Sequence, residues 1–317
     1  MPIWIVLLSL ILLGCAKTPE EKVNEAIDVA QTYLSSNECQ KAIDLLEEVG
    51  RQTDDPIYLQ VLASAYACRA DYEEISFIVS DVTTISSSNP GFLKSLTKMT
   101  MAQETAADSD EYTDILTALN LLLDTNSSST QPSHSARVNL FGKRKAQDMD
   151  VQILLLSIAQ LGKFLHYYGN VNSSGVKGGG SAGNTCFLSY TDATAQSLVQ
   201  LGTTGACTGT TNGHTDLAYG ANLTKAKRRM CEALILVTNI IDILNGLDLS
   251  SNSNLSSLES VSTTINTIKT SVVTTYPSLA TLLDTTSQST CETLMSNATQ
   301  FNNMEILFAL IFEVGLQ

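Results

Sequence analysis

Residues 21–50, EKVNEAIDVAQTYLSSNECQKAIDLLEEVG, decide the fold of this chain. In residues 23–34, apolar side chains recur every three or four positions and so share one face of a helix. After a polar break at residues 35–38, a second apolar face runs through residues 42–49 with the same period. Two amphipathic helices separated by so short a break are typical of a helical hairpin. This stretch therefore predicts all-α structure for the first part of the chain.

A second copy of the pattern follows 33 residues downstream, where Ala63 and Tyr66 repeat the spacing of Ala30 and Tyr33. A third copy is weaker and lies around Tyr112. Self-similarity at about this period is typical of arrays of helical hairpins. Apolar positions of the second copy and its expected second helix are Leu59, Leu62, Tyr72, Ile75, Val79 and Val82.

The aligned positions Ala30, Tyr33, Ala42, Leu46 and Val49 resemble the small and aromatic positions of tetratricopeptide-repeat (TPR) proteins. The resemblance implies stacked helical hairpins over residues 15–125, with a groove that binds a peptide or protein partner. The residues alone also fit an ordinary amphipathic helical bundle, which is all-α as well.

The N-terminus carries a targeting signal. Residues 3–13 form an apolar run that is too short for a membrane span of about 20 residues but suits a secretory signal. The sequence LLGC at residues 12–15 resembles the lipobox of bacterial lipoproteins. The resemblance implies a signal peptide over residues 1–14 and a lipid such as palmitate on Cys15, and Ala16 favours the outer membrane, facing the periplasm. The alternative is an uncleaved core helix that ends in a buried cysteine.

The helix that follows should begin almost directly after the anchor. Thr18, Pro19 and Glu21 match an N-cap, a first-turn proline and the acidic partner of a capping box. Since hardly any tether precedes this helix, we expect it to lie close to the membrane surface. A partner would then be an envelope protein or peptide.

With Cys15 assigned to lipid, six cysteines remain, an even number that suits an oxidising compartment. Six cysteines allow fifteen complete pairings. The repeat resemblance implies a Cys39–Cys68 bridge, because it places these residues on helices that pack antiparallel. Cys186 and Cys207 flank a short segment, which leaves Cys231 with Cys291. A metal site is the rival interpretation, but the spacing contains no C-x-x-C and the three histidines are scattered.

Beyond residue 125 the composition changes. Residues 126–142 are rich in Ser and contain Pro, so we interpret them as a linker that precedes a helical C-terminal domain at 143–317. Aliphatic residues on most faces of 148–168 and 230–247 predict two buried core helices, and a period of three to four predicts another over 255–272. We expect the last helix, 302–314, either to dock on the core or to form an oligomer interface.

Charge limits the choice of partners. The chain has 32 acidic and 18 basic side chains and a formal charge of -14, which disfavours nucleic acid. Of these, 20 acidic and 7 basic side chains lie in residues 16–125. Two basic clusters, at 143–145 and 225–229, could contact an anion or lipid headgroup, but solvated faces or faces paired with acidic residues are the simpler interpretation.

No catalytic motif is recognisable. The stretch GVKGGGSAG at 175–183 lacks the Gly-Lys-Ser/Thr end of a phosphate-binding loop and is interpreted as a flexible loop. H-E-x-x-H is absent from the sequence, and the match to G-x-S-x-G at residues 179–183 lies within this glycine-rich loop, without the strand-to-helix context of a nucleophile elbow. We therefore predict neither an enzyme nor a cofactor, although a discontinuous hydrolase site among scattered residues stays open. The leading hypothesis is a lipid-anchored adaptor; the alternative resembles TPR lipoproteins of solute transporters, which enclose a small-molecule cavity.

Overall fold

The computed structural model describes residues 17–85, 91–99, 109–124, 132–172, 174–202, 207, 212–218, 223–247 and 256–316. Within these residues it contains fourteen α-helices and no β-strand, so the predicted all-α class is confirmed. The predicted signal peptide and Cys15 lie outside the described residues. The helices of the first half are α1 (Pro19–Ser35), α2 (Cys39–Glu48), α3 (Pro56–Arg69), α4 (Glu74–Ser76), α5 (Gly91–Leu96) and α6 (Asp110–Leu123).

The second half is also helical. Its long members α8 and α10, together with α11, coincide with the three C-terminal helices that periodicity predicted. No helix in the described part of the chain is both long and apolar enough to cross a membrane. The helices are α7 (His134–Phe141), α8 (Lys143–Tyr168), α9 (Ala193–Gly202), α10 (Leu223–Gly246), α11 (Ser256–Thr275), α12 (Ala280–Leu283), α13 (Gln288–Leu294) and α14 (Ala298–Phe308).

The first hairpin forms as the sequence predicts. The capping box closes at the start of α1: the Glu21 N–H donates to the Thr18 hydroxyl at 3.1 Å, and the Thr18 N–H donates to the Glu21 carboxylate at 2.7 Å. The turn into α2 contains Asn37 at a positive φ of 57°, a backbone region that Asn tolerates. Ala30 and Ala42 are fully buried where α1, α2 and α3 pack together. Small side chains at these positions allow the helix axes to approach closely.

The second hairpin differs from the expected register. After α4 the chain forms a π-helix at Phe77–Asp81 and a 3₁₀ turn at Val82–Thr84. Ile75 and Val79, expected on its buried face, are 81% and 62% exposed. Val79 lies in the π-helix, whose i to i+5 hydrogen bonding widens the turn and changes which side chains face the core, while Ile75 lies in α4 just before it. Tyr72 and Val82 of the expected face are buried as predicted, and Phe77 is buried in addition.

The stretch interpreted as a linker, residues 126–142, contains helix α7. The Ser133 hydroxyl caps this helix by accepting from the Ala136 N–H at 3.2 Å. Arg137 is 1% exposed and donates to Asp150 of α8 at 2.5 Å. Composition pointed to a solvated connection, but a buried ion pair attaches the second part of this stretch to the helical body.

One hydrophobic core runs through both halves of the described chain. Helix α8 lies at its centre and packs against α3, α5, α6 and α10. Polar contacts cross the expected boundary between 15–125 and 143–317 as well. The Gln152 amide donates to the Gln60 carbonyl at 3.2 Å and to the Ser64 hydroxyl at 2.9 Å. The two predicted domains thus share their interior.

Candidate binding sites

The six cysteines assigned to disulfides form the three predicted bridges. Cys39 is the first residue of α2 and Cys68 lies at the end of α3, so their bridge ties the hairpin to the next helix. The other two bridges fix the loop after α8 and join α10 to α13. The Cα–Cα distances are 5.6 Å for Cys39–Cys68, 5.5 Å for Cys186–Cys207 and 5.7 Å for Cys231–Cys291.

A wide groove lies between the start of α1, the end of α2 and the start of α3; we call it the N-terminal groove. It has a volume of about 1150 Å³ and is partly open to solvent. Apolar side chains contribute to its walls, and two of them, Val29 and Ile57, are 39% and 46% exposed. Exposed apolar side chains inside a concave surface are typical of a binding site.

The charge of the N-terminal groove is strongly biased. Five carboxylates and two lysines line it, and the lysines are Lys22 of α1 and Lys145 of α8. Lys145 belongs to the first basic cluster, which the structure places exposed at the start of α8. The carboxylates are Glu20, Glu25, Glu48, Asp54 and Asp55. Their excess creates a negative potential that favours a cationic partner.

The second basic cluster has partners within its own half. Arg229 donates to Glu232 at 2.8 Å, and Lys225 lies 3.3 Å from Asp216. Burial raises the pKa of the Glu232 carboxyl, an effect that the neighbouring Arg229 opposes. Arg228 also approaches Glu232, at 3.4 Å. These contacts match the simpler interpretation of the cluster as a paired face.

A second cavity, the C-terminal pocket, is almost entirely apolar. It lies between α8, α10, α11 and the π-helix Ala309–Glu313 that continues α14. The charged side chain among its lining residues, Lys269, is paired with Asp284 at 2.8 Å. The pocket has a volume of about 90 Å³. Small-molecule sites typically have roughly 300–1,000 Å³, so this pocket suits only a short apolar group.

The glycine-rich stretch 175–183 is held by specific contacts, which contrasts with the flexible loop that its composition suggested. The Gly180 N–H donates to the Asn170 carbonyl at 2.8 Å, and a Cβ on Gly180 would lie 2.4 Å from the Asn170 Oδ1. Glycine is therefore required there for close packing. Lys177 forms a buried ion pair with Glu313 of the terminal π-helix.

Glu313 also lies beside two cysteines, and the three residues form the one metal-ligand cluster found among the described residues. Their candidate ligand atoms lie within 4.8 Å of one another. Cys186 and Cys207 are joined in a disulfide, however, so neither offers a thiolate, the form that binds metals. The Glu313 carboxylate instead accepts from the Phe187 N–H at 2.7 Å and the Tyr190 hydroxyl at 2.9 Å. These contacts are structural.

Two histidines have contacts that bear on the discontinuous hydrolase. The His134 Nδ1 lies 2.6 Å from the Asp150 carboxylate. The His214 ring packs against Tyr167 and Tyr168, and its Nδ1 accepts from the Asp216 N–H at 3.2 Å. Neither contact pairs a histidine with a nucleophile.

Comparison of the chain with protein-family models, with curated proteins and with solved structures finds no match. The candidate sites are therefore interpreted from their own geometry and charge. Sequence reasoning found the cysteines and the acidic bias of the first half, but it singled out no groove residue. The clearest omission among the groove residues is Val29. Its position beside the apolar face of α1 was the signal in the sequence that could have identified it.

Proposed function

We propose that this protein is a lipid-anchored, periplasm-facing helical scaffold that binds a protein or peptide partner in the cell envelope. The observation that carries the proposal is the N-terminal groove, with its exposed apolar walls and acidic rim. Supporting sequence features are the lipobox-like LLGC at 12–15 and the TPR-like hairpin pattern. The three disulfides are consistent with an oxidising compartment.

The dimensions of the two cavities favour a macromolecular partner over a small molecule. The N-terminal groove has a volume of about 1150 Å³ and is open to solvent, whereas the C-terminal pocket offers about 90 Å³. A groove flanked by helices suits a peptide or an amphipathic helix, whose apolar side chains anchor it. Small ligands are usually held in enclosed pockets.

Charge indicates the chemistry of the partner. Five carboxylates and two lysines line the groove. A segment with two or three apolar anchors flanked by Lys or Arg would complement it. Opposite charges chiefly raise the association rate and select the partner, while buried apolar anchors supply most of the affinity.

The groove is also lined by residues that follow the predicted anchor closely in the sequence. Helix α1 begins at Pro19, four positions after Cys15 in the sequence, and Glu20 and Lys22 of its first turns line the groove. With so short a connection the groove would open near the membrane surface. We therefore expect the partner to be a membrane protein or a protein attached to the same membrane.

Site-specific photocrosslinking in intact envelopes tests the proposal. A photoreactive amino acid at Ile57 should capture one recurrent envelope protein, detected by mass spectrometry. The same amino acid at Leu140, also exposed and apolar but outside the groove, is the matched control and should not capture it. Equal capture at both positions, or only abundant neighbours at Ile57, would contradict the adaptor.

The anchor is tested in the same samples. Mass spectrometry of the N-terminal peptide should show Cys15 as the first residue and carrying lipid. Substitution Cys15→Ser should release the protein from the membrane fraction and abolish capture at Ile57. An unmodified Cys15 that is still preceded by residues 1–14 would refute the anchor.

The second candidate function, a transporter-associated lipoprotein with a small-molecule cavity, is supported by the apolar C-terminal pocket. Recovery of a transporter component in the crosslinking experiment would favour it. Enlarging the pocket with Ile268→Ala would then alter ligand binding without changing capture at Ile57. The small volume of the pocket makes this the weaker candidate.

A further inference from the structure

The three disulfides differ in their exposure to solvent. The four cysteines of the Cys186–Cys207 and Cys231–Cys291 bridges are 0% exposed. In the Cys39–Cys68 bridge, by contrast, Cys39 is 9% exposed and Cys68 is half-buried. Access to the sulfur atoms is one of the factors that set the rate of exchange between a disulfide and a thiol. The Cys39–Cys68 bridge is therefore the most accessible of the three.

An open pocket, which we call the disulfide pocket, lies beside this bridge. Its volume is about 400 Å³, and both Cys39 and Cys68 are among its lining residues. Cys68 also lines a neighbouring cavity of about 230 Å³ between the end of α1, α3 and α8. Cys68 thus borders two cavities and is the more exposed cysteine of the bridge. The other lining residues of the disulfide pocket are Asn37, Glu38, Gln40, Lys41, Arg69 and Asp71.

The charge around the disulfide pocket is balanced, unlike that of the N-terminal groove. Two carboxylates, Glu38 and Asp71, and two cations, Lys41 and Arg69, are among its lining residues. Lys41 pairs with Glu38 at 2.9 Å. The form of a thiol that attacks a disulfide is the thiolate, which is an anion. A balanced surface does not repel a thiolate, whereas the acidic surface of the N-terminal groove would.

The two cysteines of the bridge occupy opposite kinds of helix end. Cys39 is the first residue of α2, and the N-cap residue Glu38 forms no side-chain capping hydrogen bond there. The N–H groups and the positive end of the dipole at a helix N-terminus stabilise a thiolate. Cys68 lies in the last turn of α3, where the helix dipole presents its negative end. This asymmetry favours attack at Cys68 and release of Cys39 as the leaving thiolate.

We propose that the Cys39–Cys68 bridge is a thiol–disulfide exchange site for an external dithiol. A thiolate of the dithiol attacks the Cys68 Sγ, the bond between the two cysteines breaks, and its electron pair leaves on the Cys39 Sγ. The second thiol of the dithiol, once deprotonated, attacks the dithiol sulfur of the mixed disulfide and releases Cys68 as a thiolate. The dithiol is thereby oxidised by two electrons to a disulfide, and the two cysteines take up its two protons. This site does not depend on the proposed adaptor function.

Graded reduction of the full chain, with all three bridges formed, tests the site. The folded protein is incubated with dithiothreitol without denaturant, free thiols are alkylated with N-ethylmaleimide, and the labelled peptides are identified by mass spectrometry. We expect Cys39 and Cys68 to be alkylated at least about tenfold faster than the other four cysteines, because buried bridges react only after the chain opens. Equal rates at all three bridges, or no reduction of Cys39–Cys68 in the folded chain, would overturn the proposal.

A monothiol identifies the sulfur that is attacked. Reduced glutathione has one thiol, so its reaction with the bridge stops at a mixed disulfide that N-ethylmaleimide can trap. We expect glutathione on Cys68 and maleimide on Cys39 in the same molecule. Glutathione mainly on Cys39 would refute the direction of attack that the helix ends assign.

Charge reversal tests the role of the start of α2. Lys41 is exposed in the first turn of this helix, and Lys41→Glu places a negative charge beside the leaving thiolate. This variant should be reduced about two- to fivefold more slowly, the size of a charge effect at a helix terminus. Lys22→Glu makes the same change in the N-terminal groove and should leave the rate unchanged. Equal slowing in both variants would show that the overall charge, rather than the charge at the start of α2, sets the rate.

Discussion

At the residue scale, His214 shows how burial adjusts a titratable group. Desolvation lowers the pKa of its imidazole below the ordinary value, although the nearby Asp216 opposes this shift. The neutral ring accepts from the Asp216 N–H through Nδ1, a bond that protonation would remove. The folded state therefore binds fewer protons than the unfolded state between the lowered pKa and about 6.5.

This difference in proton binding makes the folded state less stable at low pH. The contribution of His214 to the free energy of unfolding is fully present above about pH 6.5 and is lost as the pH falls toward the lowered folded-state pKa. His214→Asn should remove this part of the acid sensitivity, because Asn keeps an acceptor for the Asp216 N–H without titrating. Urea unfolding between pH 5 and pH 7.5 measures the effect, and an unchanged slope in the variant would show that His214 is not its source.

Glu305 is a buried carboxylate whose role is structural. It is fully buried in α14 and accepts from the Thr191 N–H at 2.8 Å, the Thr191 hydroxyl at 2.8 Å and the Asp192 N–H at 2.7 Å. Glu305→Gln turns an NH₂ group toward these donors and should lower the free energy of unfolding by about 1–3 kcal/mol. Glu292→Gln, an exposed position on α13, should change it by less than about 0.5 kcal/mol. Equal effects in urea unfolding would indicate that Glu305 is not held by these bonds.

Sequence reasoning at this scale succeeded where chemistry limits the choices. An even number of cysteines favoured pairing, and the repeat pattern implied Cys39–Cys68, while the other two pairs came from a short intervening segment and from elimination; the structure contains all three bridges. The greater accessibility of Cys39–Cys68 could not be predicted in this way. Whether a bridge is buried depends on the packing of helices that are distant in the sequence, and no local pattern encodes that.

At the scale of elements, the start of the first hairpin could be predicted from the sequence, because the residues that determine it are neighbours in the chain. Thr18 and Glu21 form the predicted capping box, and the apolar faces of α1 and α2 have the period of an α-helix. The second hairpin was read less well, since the π-helix Phe77–Asp81 changes which side chains are buried. No local pattern in this segment distinguished a π-helix from an α-helix, and the burial of Phe77, at 1% exposure, was visible only in the structure.

The exposed positions of this segment give a direct test of the register. The double substitution Ile75→Ser and Val79→Ser should change the free energy of unfolding by no more than about 1 kcal/mol, because both side chains face solvent. In a regular repeat helix with these residues buried, the same change would cost about 2–5 kcal/mol or more. Phe77 lies between these two residues in the sequence but is 1% exposed. Phe77→Ala is therefore the control and should lower the free energy of unfolding by about 3–5 kcal/mol. Thermal and urea unfolding distinguish the two registers.

At the scale of the whole molecule, composition divides the chain near residue 126, but packing crosses this division. Ser and Pro favour loops, and this preference justified a linker. The structure adds a buried ion pair between Arg137 and Asp150 and a core shared by α3, α6, α8 and α10. Such a shared interior cannot be inferred from composition, because local composition does not show which distant apolar faces pack against each other.

A shared core predicts that the two halves unfold together. Leu62 of α3 is fully buried, and Leu62→Ala should lower the free energy of unfolding by about 2–5 kcal/mol. If the molecule is one cooperative unit, the slowest-exchanging amides of α10 should lose the same opening free energy as those of α3, although Leu62 belongs to the other half. Hydrogen exchange followed by mass spectrometry measures both helices in one sample, with Ile75→Ala as an exposed control that should alter neither. Loss of protection in α3 alone would mean that the halves open independently and that the contacts of α8 with α3 and α6 are weaker than the continuous core implies.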